Sequence, residues 1–245
     1  MPTRIVFLGS KPIGFHCLQF LLEQKEMLDI EVVGLCTRLR KEFSGESDLT
    51  GLAQKYNIPV LSSLNDIPEC DIIYSVQHHE LLKAEHIQKA KNIAVNLHLA
   101  PLPEYRGCNQ FSFAIIDEAK EFGATIHQID TRIDHGDVLF EHRFSIPEHC
   151  WVNDLYELTF NAAIKLFHES LPSLIEGNYT KVPQAELLKK RKESLHFRKE
   201  INELKQIDLN QSGEAIEKVI RATYMPGFAP PYAIISGKKV YFKVE

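Results

Sequence analysis

Short apolar runs recur along the first half of the chain and constrain its fold more than any other feature. They occupy residues 4–9, 30–36, 70–76 and 93–95. Each run is rich in Val, Ile or Leu and bounded by polar segments, so each is predicted to be a strand buried on both faces. Helix-like segments lie between them. This alternation predicts an α/β fold with a Rossmann-like, mostly parallel sheet flanked by helices.

Composition narrows the class of protein. The chain has 245 residues, of which 44% are hydrophobic and 25% charged, an ordinary globular composition. No apolar run approaches the ~18 residues of a membrane span, and the amino terminus lacks the basic and apolar regions of an export signal. The five cysteines are scattered and never spaced as C-x-x-C. We therefore expect a cytoplasmic protein with free thiols and no membrane partner.

A change of pattern near residue 180 predicts two domains. An amphipathic helix over residues 153–175, bent or ended by Pro172, is expected to close a catalytic domain of residues 1–180. Residues 181–245 are expected to form a small subdomain. This subdomain carries 13 basic and 8 acidic residues, which indicates either an anionic partner or a solvated helix face.

Three further elements are predicted from local pattern. A helix is expected over residues 81–90, before the fourth strand. In the subdomain, a helix is expected over residues 212–224 and a β-hairpin with a tight turn over residues 232–244. The hairpin offers an exposed strand edge for self-association, so we expect a homodimer.

The densest chemistry lies between Asn96 and Asp137. Asn96 and His98 are two residues apart at the end of a strand, so both side chains leave on the same side. Prolines then force a loop containing L-P-E-Y-R-G, followed by a helix, a strand with T-I-H-Q-I-D and a glycine turn with I-D-H-G-D. The turn places Asp134 thirty-six residues after His98.

The combination N-x-H, L-P-x-Y-R-G, T-I-H-x-x-D and I-D-x-G-D resembles the folate-dependent formyltransferases over residues 1–180. That family includes methionyl-tRNA formyltransferase, glycinamide ribonucleotide formyltransferase and enzymes that formylate amino groups of nucleotide-linked sugars. The resemblance implies N10-formyltetrahydrofolate as the one-carbon donor and a triad of Asn96, His98 and Asp134. The chemistry agrees, because imidazole is a base near neutral pH, an amide N–H stabilises an oxyanion, and a carboxylate assists the histidine.

The resemblance also implies a folate pocket beyond the third strand and beside the glycine turn. The residues assigned to folate binding are Gln77, His78, Asp130, Ile133 and Asp137. The substrate-binding candidates are polar or aromatic residues of three loops: Ser10, Lys11, Tyr105, Arg106, Asn109, Gln110, Arg221 and Tyr224.

Two of these assignments have competing interpretations. The helix start at Ser10 and Lys11 suits a phosphate, or it only connects two elements. Arg221 and Tyr224 suit a pyrophosphate and a base on a loop stiffened by proline and glycine. Alternatively, Tyr224 and Phe228 pack the subdomain against the core.

Within the family, the loop sequence and the added helix and hairpin most resemble the sugar N-formyltransferases of surface polysaccharide (O-antigen, lipopolysaccharide) biosynthesis. The favoured acceptor is dTDP-linked 4-amino-4,6-dideoxyglucose, and GDP-perosamine is the alternative. Methionyl-tRNA is less favoured, because that enzyme carries a basic RNA-gripping β-barrel of about a hundred residues and only about 62 residues follow the long helix's turn here. We expect no nucleic-acid partner. A catalytically inactive nucleotide- or folate-binding protein is the non-enzyme alternative.

A group of four histidines raises the question of a metal site. They recur at intervals of eight, seven and seven residues: His127, His135, His142 and His149. This spacing matches neither H-E-x-x-H nor a cysteine-histidine zinc site. We therefore expect no metal, and interpret most of these histidines as exposed or packing residues.

Overall fold

The computed structural model describes residues 1–38 and 47–243. The strands in the described residues are β1 Thr3–Gly9, β2 Ile30–Cys36, β3 Cys70–Val76, β4 Ala90–His98, β5 Arg106–Gly107, β6 Glu121–Gln128, β7 Val138–Ser145, β8 Leu195–His196, β9 Tyr232–Ile235 and β10 Lys238–Tyr241. The α-helices are α1 Lys11–Glu23, α2 Leu49–Lys55, α3 Ala84–Ile87, α4 Gln110–Ile116, α5 Val152–Glu176, α6 Gln184–Leu187, α7 Glu200–Leu204 and α8 Gly213–Thr223.

Six strands form the central sheet in the order β2-β1-β3-β4-β6-β7. The first four are parallel, whereas β6 runs antiparallel to both β4 and β7. The predicted mostly parallel sheet is confirmed. Because chain order reverses direction between β1 and β3, the crevice beyond their carboxyl ends is the expected ligand site of such a sheet.

Successive side chains of a strand point to opposite faces of the sheet, so the strands contribute to two apolar layers, one on each face. Phe7 and Tyr74 belong to the larger layer, which also contains Phe167 of α5. Their neighbours Leu8 and Ile73 belong to the second layer with Leu64. Burial on both faces explains why these strands read as nearly continuous apolar runs.

Local pattern misplaced one helix and correctly located another. The helix predicted over residues 81–90 is reduced to α3, because Ala90 already pairs with Cys70 as the first residue of β4. The long helix α5 matches its predicted range within one residue at each end and continues through Pro172. Gly177, whose φ of 72° lies in the left-handed region, caps it. The predicted hairpin is present as β9 and β10, and the end of its predicted range, Val244, lies outside the described residues.

A segment after α5 lies against the loop that follows β4. We call residues 182–196 the strap and residues 99–109 the site loop. Val182 pairs with Val138 at the start of β7, and β8 pairs in parallel with β5, so that Gly107 is opposite His196. The division at residue 180 stays a prediction. No helix in the described part of the chain is long and apolar enough to cross a bilayer.

Candidate active site

The sheet brings the three predicted catalytic residues together. Asn96 and His98 end β4, and Asp134 lies on the turn after β6, which we call the aspartate turn (residues 130–137). His98 Nδ1 is 3.6 Å from Asp134 Oδ2. The Asn96 amide donates to Asp134 Oδ1 at 3.5 Å. One carboxylate therefore touches both other members.

The hydrogen bond of His98 decides which ring nitrogen can act as a base. Nε2 lies 2.7 Å from the backbone carbonyl oxygen of Tyr105, and the side chain is buried. A carbonyl oxygen only accepts, so Nε2 carries the hydrogen. In the neutral ring Nδ1 then bears the lone pair. Nδ1 is also the atom that faces Asp134. The ring nitrogen that can accept a proton therefore lies beside a carboxylate, which stabilises the imidazolium.

Asp134 is held as an anion. Burial disfavours its charge, but the neighbouring imidazoles of His98 and His127 and the hydrogen bond from the Gly107 N–H outweigh burial and hold the pKa of this carboxyl well below its usual range. The Gly107 N–H donates to Oδ2 at 2.9 Å. A carboxylate in such surroundings stays ionised at neutral pH.

The backbone of the aspartate turn is tightly constrained. Asp134 has a φ of 46°, in the left-handed region that residues other than glycine seldom adopt. At Gly136 a Cβ would lie 1.9 Å from the carbonyl oxygen of Gln128, so only glycine fits. The N–H of Gln128 donates to the carbonyl of Asp137 at 2.8 Å, which closes the turn against the end of β6.

His127 lies at the site but is not among the predicted catalytic or binding residues. The antiparallel register of β4 and β6 places it opposite Asn96. Its Nε2 lies 3.2 Å from the Asn96 amide nitrogen and 3.4 Å from Asp134 Oδ1. Its Nδ1 lies 2.8 Å from the carbonyl of Gln128, so the hydrogen is on Nδ1 and Nε2 accepts from Asn96 in the neutral ring.

The interpretation of most of the four histidines as exposed or packing residues therefore does not extend to His127. The sequence signal that could have identified His127 was its place in the T-I-H-x-x-D motif. The strand register that brings it next to Asn96 cannot be predicted from the alternation of apolar and polar residues. His127 orients the Asn96 amide, the group that is predicted to be the hydrogen-bond donor of the triad.

The folate candidates at the end of β3 have polar atoms to offer. Gln77, with a φ of 53°, accepts from Lys11 Nζ at 2.7 Å. Both ring nitrogens of His78 are buried and, among the described residues, without a hydrogen-bond partner. Burial, and then the neighbouring His79, lower the pKa of His78 to about 4, so the ring is neutral. The neutral ring therefore has one donor and one acceptor available to a ligand. Binding of folate by Gln77 and His78 stays a prediction.

The candidates on the aspartate turn are already part of its own structure. Asp130 accepts from the Arg132 N–H at 2.8 Å and from Arg132 Nη2 at 2.9 Å. Burial disfavours its charge, but these bonds lower the pKa of Asp130. Ile133 and Asp137 are half-buried on the same turn. The role of all three in binding folate stays a prediction.

Two substrate candidates lie at the crevice. Ser10 and Lys11 follow β1, next to the end of β3. Ser10 is buried, and its hydroxyl has no hydrogen-bond partner among the described residues. Because Lys11 already meets Gln77 across the switch in strand order, this edge presents a cation and an unpaired hydroxyl side by side.

The candidates of the site loop have partners within the chain. The Tyr105 hydroxyl donates to Asp117 at 3.3 Å, and Gln110 is buried at the start of α4. Arg106 is buried and donates to Gln184 and Glu193. Asn109 donates to the carbonyl of Phe197 at 3.0 Å. These contacts fasten the loop, and substrate binding by these residues stays a prediction.

The two candidates of the subdomain lie against the start of α5. Arg221 donates to the carbonyl of Cys150 at 3.0 Å. The ring of Tyr224 packs edge-on against Trp151, with centroids 6.4 Å apart. These contacts favour the packing alternative for Tyr224, whereas Phe228 is exposed. Binding of a nucleotide by Arg221 and Tyr224 stays a prediction.

One group in the described part of the chain has the spacing of metal ligands. Ligand atoms of His78, His79 and Glu80 lie within 4.8 Å of one another. His79 Nε2 already pairs with Glu80 at 3.0 Å, and Glu80 is exposed. The expected absence of a metal stays a prediction.

Comparison with known sequences gives a family model that matches the part of the chain containing the site. The model of the formyl transferase family matches residues 55–171, which include Asn96, His98, His127 and Asp134. The methionyl-tRNA formyltransferase of Lactobacillus gasseri is 28% identical over 255 aligned positions, covering 99% of this chain and 78% of that protein.

Sugar N-formyltransferases are among the solved structures that are similar to this chain. WlaRD, a sugar 3N-formyltransferase solved with dTDP and 5-N-formyl-THF, superposes with a TM-score of 0.79 at 25% identity, over 98% of this chain and 85% of that one. A 4-N formyltransferase from Francisella tularensis has a TM-score of 0.79 at 20% identity, over 99% of this chain and 97% of that one, a likeness of fold.

Proposed function

We propose that this chain, an enzyme of the folate-dependent formyltransferase family, transfers the formyl group of N10-formyltetrahydrofolate to the amino group of a nucleotide-linked sugar. The observation that carries the proposal is the contact of one ionised carboxylate, Asp134, with both His98 and Asn96. An amine acceptor needs a base and an oxyanion donor at one carbon atom, and this cluster supplies both.

His98 takes up the proton of the attacking amine at Nδ1. As the amine nitrogen bonds to the formyl carbon, it gains positive charge and releases a proton to this lone pair. The imidazolium that forms is held by the Tyr105 carbonyl at Nε2 and faces the Asp134 carboxylate 3.6 Å away at Nδ1. When the bond from the carbon to N10 breaks, the same proton returns to N10, so no other acid is needed.

Asn96 stabilises the oxygen that becomes negative. One hydrogen of its amide is held by His127 at 3.2 Å, whereas the bond to Asp134 is 3.5 Å, long for an N–H···O bond. The hydrogen that makes this longer, weaker contact is therefore the one that the oxyanion can share. Removing such a donor costs on the order of 10²–10³ in rate.

For the acceptor, we favour a dTDP-linked 4-amino-4,6-dideoxyglucose, made for surface polysaccharide, over GDP-perosamine. WlaRD was solved with dTDP and 5-N-formyl-THF, and these ligands support a dTDP-sugar and a folate as the two substrates. Ser10 and Lys11 at the crevice are the residues that we assign to the anionic part of the acceptor. His78 and Gln77, with the aspartate turn, are assigned to the folate.

A second acceptor is favoured by the sequence relatives. The curated proteins that match over most of this chain include methionyl-tRNA formyltransferases. The cluster of Asn96, His98 and Asp134 would act in the same way on the amino group of methionyl-tRNA. The two functions therefore differ in the acceptor and not in the chemistry of the site.

A panel of acceptors tests the proposal. The protein is incubated with N10-formyltetrahydrofolate and, separately, with dTDP-4-amino-4,6-dideoxyglucose, GDP-perosamine and methionyl-tRNA, and tetrahydrofolate release is followed with formylated product. We expect turnover with a sugar nucleotide, dTDP before GDP. Turnover with methionyl-tRNA alone would replace the proposal by the second acceptor.

A further inference from the structure

The strap carries a buried glutamine to the aspartate turn. Val182 and Val138 exchange two backbone hydrogen bonds of 2.9 Å, which fixes the strap beside the start of β7. Two residues later, Gln184 begins α6 and is almost fully buried, at 3% exposure. It lies 50 residues beyond Asp134 in sequence.

The amide of Gln184 uses every hydrogen bond that it can make. Its two hydrogens go to the backbone carbonyls of Asp134 at 2.9 Å and Gly136 at 2.8 Å. Its oxygen accepts from Arg106 Nε at 3.0 Å and from Nη2 at 2.9 Å. An amide has two donors and two acceptor lone pairs, so the group is saturated. It joins the aspartate turn to the site loop.

The turn needs an external restraint. Asp134 adopts a left-handed φ of 46°, and such conformations persist only where the surroundings impose them. At Gly136 the turn passes too close to the Gln128 carbonyl for a Cβ, and Gln184 binds the two carbonyls on either side of His135. A buried carbonyl that lost its donor would favour a different backbone conformation.

We propose that Gln184 is a positioning residue that sets the Asp134 carboxylate against His98, His127 and the Gly107 N–H. This inference deepens the proposed function and rests on it for its kinetic consequence. Gln184 touches backbone on the turn side and Arg106 on the other, so it acts through Asp134 and does not touch the reacting atoms.

Two variants separate the two sides of the amide. Gln184→Glu keeps an acceptor for Arg106 but has no donor for the carbonyls of Asp134 and Gly136. Gln184→Met keeps the length of the side chain but loses the hydrogen bonds to Arg106 as well as those to the two carbonyls. The matched control is Glu193→Gln, since Glu193 pairs with the same Arg106 at 3.1 Å from the same strap and is largely exposed.

The kinetic test separates kcat from KM. For Gln184→Glu and Gln184→Met we expect kcat to fall about tenfold to a hundredfold, as for a small misplacement of a catalytic group. KM for both substrates should stay within about threefold, and Glu193→Gln should stay within about twofold of the wild type. If Gln184→Glu keeps the wild-type kcat, or if only KM changes, the positioning role is wrong.

A measurement independent of activity keeps the inference testable if the acceptor is wrong. The Gly107 N–H donates to Asp134 Oδ2, so its NMR amide proton resonance reports the position of the carboxylate in the free protein. We expect an upfield shift in both Gln184 variants and none in Glu193→Gln. A Gly107 resonance unchanged in all three would overturn the inference, whereas an inactive wild type would overturn only the proposed function.

Discussion

His127 Nε2 lies 3.2 Å from the amide nitrogen of Asn96, across the antiparallel pair β4 and β6. Because Nδ1 of the same ring donates to the carbonyl of Gln128, the neutral ring accepts one amide hydrogen of Asn96. The second hydrogen of the Asn96 amide makes the longer, weaker contact with Asp134 Oδ1. The site therefore has a fixed acceptor that aims its oxyanion donor.

The first prediction concerns this contact. His127→Phe removes the acceptor for Asn96 while keeping a ring of similar size in the strand. We expect kcat to fall about tenfold to a hundredfold, because the amide loses its orientation. His142→Phe, on the adjacent strand β7, is the matched control and should retain most of the activity. Steady-state kinetics with both substrates checks this, and equal activity of the two variants would count against the role of His127.

The second prediction concerns the aspartate turn. Gly136→Ala places a Cβ 1.9 Å from the carbonyl oxygen of Gln128, so the turn must move. We expect a loss of about 1–3 kcal/mol in the free energy of unfolding and about a hundredfold in kcat. In Gly213→Ala, the control, the added Cβ meets nothing within 4 Å. Urea unfolding and kinetics of both variants measure this, and normal activity in Gly136→Ala would contradict the constrained turn.

The third prediction is a dependence of stability on pH. Burial and then His79 lower the pKa of His78 from 6.5 to about 4. Between these two values the unfolded chain binds a proton that the folded chain does not, so stability falls as the pH falls. His78 should contribute a slope approaching about 1.4 kcal/mol per pH unit to the free energy of unfolding in this range.

His78→Gln should remove that part of the slope. Urea unfolding at pH 7, 6 and 5 measures it, with His149→Gln, at an exposed position, as the control. Parallel curves for the wild type and His78→Gln would show that His78 is not held neutral by burial.

The fourth prediction is the oligomeric state. Four apolar side chains of the hairpin are 45% to 51% exposed: Ile234, Ile235, Val240 and Tyr241. We predict a homodimer built on this hairpin, because exposed apolar strands at a sheet edge favour pairing with another chain. Light scattering after gel filtration should give a dimer for the wild type and a monomer for Ile235→Lys combined with Val240→Lys. Met27→Lys, at an exposed apolar residue outside the hairpin, should remain dimeric, and a monomeric wild type at micromolar concentration would refute the prediction.

Local sequence patterns were enough to predict part of the fold and part of the site. The β-branched runs predicted β1 to β4, because parallel strands buried on both faces are apolar throughout. The resemblance of the N-x-H pair and the I-D-x-G-D turn to the formyltransferases predicted the triad, whereas spacing alone predicted only that Asn96 and His98 lie on the same side of a strand end.

The rest depends on contacts that are distant in sequence. His127 reaches the site through the register of β4 and β6, which alternation does not determine. The burial of Arg106 and the contact of Gln184 with the aspartate turn depend on the strap, which approaches the site loop from more than 70 residues away. No local pattern carries that information.

The most direct test of the account is single-turnover formyl transfer by His98→Asn beside the wild type, with the acceptor that the panel identifies. We predict that both proteins bind N10-formyltetrahydrofolate equally well and that the variant transfers the formyl group about 10²–10⁴ times more slowly, as expected for loss of a general base. A variant that binds folate and transfers at a rate close to the wild type would contradict the assignment of His98 Nδ1 as the base.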